Sequence, residues 1–188
     1  LDASGIIDRS NYIGLDDLSQ FRFFLNSFDT TTRGVDIVGN YSFDLWEGNS
    51  RLTLAANYNE TEVDDVGTLN PIDDDRVSAI EDLLPNLRGN ISWTHTQGQL
   101  RTLVRANYYG GWDDTGNGVA DIDPAILIDV EAVYSYTENL DLVVGVNNLF
   151  DEYPEENPDA GSLGQLYSES SPFGFNGGMW YVQARYTY

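Results

Sequence analysis

Cysteine is absent from the 188 residues, which excludes disulfides, thiolate metal sites and cysteine nucleophiles together. Lysine is absent too. All nine basic residues are arginine, set against 31 acidic residues for a net charge of −22. A surface of that sign cannot displace counterions from a phosphate backbone, so nucleic acid is excluded as a partner. No apolar run approaches the roughly 18 residues of a membrane helix, and helical spanning is excluded with it. The sequence opens at Leu1 with neither an initiator Met nor a signal-peptide pattern, as expected of a processed chain or a piece of one. What is present is apolar enough to fold: 41% hydrophobic and 13% aromatic residues argue against disorder despite the charge.

The dominant pattern alternates with period two, the signature of a strand with one apolar face. Val35, Ile37, Tyr41, Phe43 and Leu45 alternate with Asp36, Asn40, Ser42 and Asp44, and Leu52, Leu54, Ala56 and Tyr58 follow a turn at Glu47-Gly48-Asn49. Further runs start at Leu87, Leu100, Ile126, Leu140 and Trp180. Seven strands of about ten residues are expected. An eighth lies at Phe21 to Asn26, or residues 21–45 form one long strand bulged near Asp29. The one helical stretch is Arg76 to Leu84. Short turns near Gly48, Gly98 and Asn139 alternate with long connections over about 63–86, 110–125 and 150–177, so neighbouring strands are antiparallel and the long loops share one end. Those loops are acidic: residues 60–82 hold nine carboxylates against Arg76 alone.

Such a sheet is either a soluble sandwich or a membrane barrel with its apolar face outward. A barrel sorts aromatics into two belts with aliphatics between them, and the sequence does so. Tyr41, Phe43, Trp93, Tyr134, Tyr136, Tyr186 and Tyr188 fall toward the short turns, and Tyr58, Tyr108 and Trp180 toward the long loops. Leu54, Val104, Val130, Val144, Val182 and Ala184 lie between. The opposite face carries Arg101, Arg105, Asp129, Glu131, Asp141 and Arg185, too many charges for a lipid surface and natural in a polar lumen.

Catalysis has little material. The single His95 shares the parity of Leu87 and Trp93, which points it at lipid near the short turns, where a serine triad has no use for it. No glycine-rich phosphate loop precedes a helix. The loop at 113–123 partly follows an EF-hand spacing, with Asp113, Thr115, Asn117, Gly118 and Asp121 in place. Pro124 stands where a bidentate Glu belongs, so the full motif fails. A looser calcium site at Asp113, Asn117 and Asp121 and a plain acidic turn both remain. No other cofactor is expected. The acidic loops fit solvation, bridging through divalent cations to lipopolysaccharide, or binding of a cationic or metal-bearing substrate.

At 145–154 the residues Gly-Val-Asn-Asn-Leu-Phe-Asp-Glu-Tyr-Pro resemble the penultimate-strand motif of TonB-dependent outer-membrane receptors. Thr-Thr-Arg-Gly-Val-Asp-Ile-Val-Gly-Asn-Tyr at 31–41 and Leu-Pro-Asn-Leu-Arg-Gly-Asn at 84–90 are similar to other strand entries of that family. With Ser171-Pro172-Phe173-Gly174 and the aromatic end, the resemblance covers about residues 20–188, and residues 1–19 read as an extracellular loop segment. It implies an antiparallel transmembrane β-barrel, all-β, of which this chain holds the last seven or eight of 22 strands. It also implies an N-terminal plug domain, TonB as energy source, and import of a siderophore, cobalamin or oligosaccharide as the small-molecule substrate. The charged wall then contacts plug or lumen water. Trp180, Val182, Ala184, Tyr186 and Tyr188 resemble the signal read by the barrel-assembly machinery, with Tyr188 where Phe is usual. The competing readings are a complete eight-stranded barrel with a structural or adhesive role, and a soluble sandwich.

Overall fold

The computed structural model describes residues 26–67, 71–158 and 160–188. The proposed loop segment 1–19, and most of the questioned strand at Phe21 to Asn26, lie outside the described residues. Period-two alternation yields seven long strands: β1 (Asp29–Leu45), β2 (Gly48–Asp65), β3 (Leu87–Gln97), β4 (Leu100–Tyr109), β7 (Ala125–Thr137), β8 (Leu140–Asn147) and β9 (Met179–Tyr186). They form one antiparallel meander in the order β1-β2-β3-β4-β7-β8-β9. The long connections carry helix α1 (Asp74–Glu81), the small hairpin β5 (Trp112–Asp114) and β6 (Val119–Ile122), and a helical turn α2 (Ala160–Leu163). Asp73 caps α1, its carboxylate accepting the Arg76 N–H at 2.9 Å.

Three expectations change. Strands β1 and β2 are 17 and 18 residues long, so the acidic residues Glu60 to Asp65 extend a strand instead of opening a loop. Residues 26–28 are irregular and the register shifts between Asp29 and Thr30, so β1 does not run back through them. The first turn sits at Trp46-Glu47, both with positive φ (50° and 61°), the geometry of a two-residue hairpin. Gly48 is required for a different reason. A Cβ there would lie 2.4 Å from the Thr96 carbonyl oxygen and 2.7 Å from the His95 ring.

The register displays stagger. One row links Leu52, Trp93, Val104, Val130, Val146 and Trp180. It starts near the short turns and ends at the long-loop end of β9, which is the shear of a barrel wall. Among the described strands β1 and β9 remain unpaired edges, so these strands do not close on themselves as a small barrel would.

The apolar face is the exposed one. Leu54, Val104, Val144 and Val182 are 44, 37, 52 and 69% accessible, whereas a sandwich would bury them together. The buried apolar residues of the sheet are Leu127, Val133 and Val143, all on the polar parity. This inside-out arrangement is that of a sheet solvated by lipid on one side. His95 departs from the expected lipid exposure. It is on the outward face but only 8% accessible, hydrogen-bonded through Nδ1 to the fully buried Ser50 at 2.9 Å, with Trp46 and Trp93 each 5.9 Å from its ring. Burial of Ser50 leaves no path for a substrate, so the pair is a packed plug beneath Trp46.

Candidate functional site

The polar face is built by strand parity. Its rows read Asn40–Thr53–Ser92–Arg105–Asp129 and Ser42–Arg51–Thr94–Leu103–Glu131–Gly145–Tyr181. All six charged residues expected on this wall are there, and most are tied to a neighbour. Arg101 pairs with Glu131 at 3.6 Å. Asp141 accepts the Ser135 hydroxyl at 2.8 Å, and Arg185 donates to Gln183 at 3.4 Å. Asp129 accepts from the Asn107 side chain at 2.8 Å and from the Asn148 backbone at 3.0 Å. Arg105 stands opposite Asp129 in the register. The signs alternate along the wall, Arg101 beside Glu131, Arg105 opposite Asp129 and Arg185 opposite Asp141.

Sequence periodicity missed two things here. The first is the seam of Val133 and Val143, directly paired and flanked by Arg101 and Gln183. The second is Tyr181. Its ring lies across Gly145 and its hydroxyl donates to Glu131 at 2.9 Å, so β9, β8, β7 and β4 are linked in one line ending at Arg101. A Cβ on Gly145 would fall 2.4 Å from the Tyr181 ring, which is why glycine stands there. A glycine between valines in the sequence is the one signal that could have revealed the contact.

The residues following β8 form a clamp. Asn148 (φ 52°) donates through Nδ2 to the Glu152 carbonyl at 2.8 Å and accepts the Glu152 N–H at 3.0 Å. Asp151 (φ 58°) accepts the Gly178 N–H at 2.6 Å, immediately before β9. Asn and Asp are the non-glycine residues that best tolerate this left-handed backbone. The clamp thus sets where the last strand begins.

At the long-loop end the connections pack on one another. Trp112, Val119 and Ile122 form a buried cluster closed by Phe173, whose ring also meets Tyr109. The buried Ser168 hydroxyl donates to the Asp114 carboxylate, and the Asp113 N–H donates to the Asp82 carbonyl at 2.9 Å. The family model for the TonB dependent receptor-like beta-barrel matches residues 6–149. The chain belongs to that family. No curated protein and no solved structure matches it. The family is one of outer-membrane transporters, acting by transport and not by catalysis, and the polar wall is part of its barrel domain.

The expected calcium residues of the receptor lie in one short loop. Asp113 accepts the Asp121 N–H at 2.7 Å, Asp121 sits at φ 57°, and Asn117 belongs to a helical turn. Among the described residues no group of three His, Asp or Glu side chains converges as a metal site. Asp82, at the end of α1, has its pKa raised first by burial and then by the nearby Asp113 and Glu81 carboxylates. A raised carboxyl pKa favours the protonated folded form, so the stabilisation is complete below the ordinary carboxylate range. It is lost as pH rises through the elevated value. The Asp113 amide should therefore exchange more slowly, after correction for intrinsic rates, at about pH 4 than at about pH 7. Asp82→Asn should flatten the difference. Equal protection in the unmodified receptor at both pH values would refute the coupling.

Proposed function

We propose that this receptor imports a scarce nutrient across the bacterial outer membrane, using energy that TonB delivers through the N-terminal plug domain the family implies. The observation that carries the reading is the opposition of faces: an exposed aliphatic and aromatic surface outward, a hydrogen-bonded charged wall inward, and a packed cap of loops at one end. Arg101, Arg105, Asp129, Glu131, Asp141 and Arg185 supply the mixed-sign surface against which a plug or lumen water rests. The acidic strand extension and loops suit divalent-cation bridges to lipopolysaccharide. In β9 the residues Trp180, Val182, Ala184 and Tyr186 share the outward face and Tyr188 is fully exposed beyond the strand, a form open to capture by the assembly machinery through strand addition.

Transport decides the matter. A strain dependent on this receptor should accumulate its nutrient at limiting concentration and lose that accumulation when either the receptor or TonB is removed. Accumulation that persists without TonB would overturn active import.

A further inference from the structure

The wall below α1 holds two adjoining cavities. The upper, about 300 Å³, has a polar floor on β2 and β3 and an apolar roof of Ala79, Ile80, Leu83, Leu84 and Pro85. The lower, about 470 Å³, continues down the same wall past Asn90, Asn107 and Tyr109. Asn57 and Arg88 belong to both. Each is within the range of about 300–1,000 Å³ typical of small-molecule sites. Both lie on the inward parity: Asn57 and Arg88 are register partners, and the Asn59 N–H bonds the Asn86 carbonyl at 2.8 Å.

The chemistry of the lining is selective. The carboxylates in reach are engaged: Asp36 accepts from the Asn57 side chain at 2.7 Å, and Glu81 accepts the Val63 N–H at 2.7 Å. Arg88 has no ion-pair partner among the described residues, and the side-chain amides of Asn59, Asn86 and Asn90 make no hydrogen bond among them. Free amides offer a donor and an acceptor each, and a lone guanidinium offers donors in a fixed fork. One cation set against the Asp36 and Glu81 carboxylates does not match a highly charged anion. A file of amides facing an aliphatic roof matches a neutral ring compound with hydroxyls along its edge and C–H groups on its face.

Resting on the transport reading above, we propose that these two cavities hold the imported solute on its way into the lumen, and that the solute is a neutral oligosaccharide whose hydroxyls are read by Asn57, Asn59, Asn86, Arg88 and Asn90. The test is calorimetric binding to the full receptor in detergent. The probes are maltohexaose, cellohexaose, chitohexaose and xylohexaose, set against a ferric trihydroxamate, a ferric triscatecholate and cyanocobalamin. At least one oligosaccharide should bind while the chelates and cyanocobalamin do not. Asn59→Leu, an exposed position that leaves the fold untouched, and Arg88→Leu should each weaken that binding about tenfold or more. Glu138→Gln, at the opposite end of the sheet, should leave it unchanged. Binding of the chelates or cyanocobalamin alone, of no probe, or of sugar with undiminished affinity in both variants would overturn the proposal. The two readings fail separately. TonB-dependent uptake of a ferric chelate would remove the oligosaccharide and keep active import, and TonB-independent uptake of sugar would do the reverse.

Discussion

Gly145→Val should destabilise the folded receptor by about 2–3 kcal/mol, the combined cost of overpacking and of a lost charge-assisted hydrogen bond. The ring of Tyr181 occupies the space a side chain would need, so the new Cβ must drive the ring off β8 and its hydroxyl away from Glu131. The measurement is the urea midpoint of refolding into vesicles, read alongside the yield of folded receptor in the outer membrane. A double-mutant cycle gives the sharper answer. Gly145→Ala in a Tyr181→Ala background should cost at least about 1 kcal/mol less than in the unmodified receptor, because the ring it collides with is gone. Additive effects would show that the cross-strand contact has no energetic role. The Arg101–Glu131 pair at the end of the line would then stand as an ordinary partly exposed ion pair, worth little by itself.

The second large effect separates the two faces on adjacent residues of one strand. Val104→Arg places a guanidinium in hydrocarbon, between Trp93 and Val130, and should cost about 2–4 kcal/mol, with a matching fall in membrane insertion. Leu103→Arg puts the same group on the inward face opposite Glu131, where an anion and water meet it, and should cost less than about 1 kcal/mol. Equal penalties at the two positions would contradict an outward lipid face.

The division between these faces is the part of the fold that was legible in the residues. Strands β2, β3 and β4 alternate cleanly, so parity and antiparallel order followed directly. Where apolar residues run together, parity says which side a residue is on but not what it meets there. Val133 and Val143 fall on the inward side in Ala132-Val133-Tyr134 and Leu142-Val143-Val144, and only the strand register shows that they pair and bury each other. The turn starts at Trp46, one residue before the expected Glu47, because Gly48 carries the composition of a turn while serving as a seat for the His95 ring. The wall's charges follow from parity alone, but the bond from Tyr181 across Gly145 to Glu131 depends on a cross-strand register that parity does not give. The hairpin of β5 and β6 is too short for any periodicity to show. The cavities below α1 depend on how a loop folds back over a strand, information that no local pattern holds.

On the proposed placement in the outer membrane, the cluster of Trp112, Val119, Ile122 and Phe173 has a bearing on recognition from outside the cell. Connections that share a hydrophobic centre present one surface assembled from stretches distant in the chain. An antibody or a phage tail fibre gripping that surface would lose its target when any one contributing stretch is altered, and short peptides copied from a single stretch would make poor immunogens. For the bacterium the same arrangement limits variation, since escape by changing a buried residue such as Trp112 would disturb the whole cap.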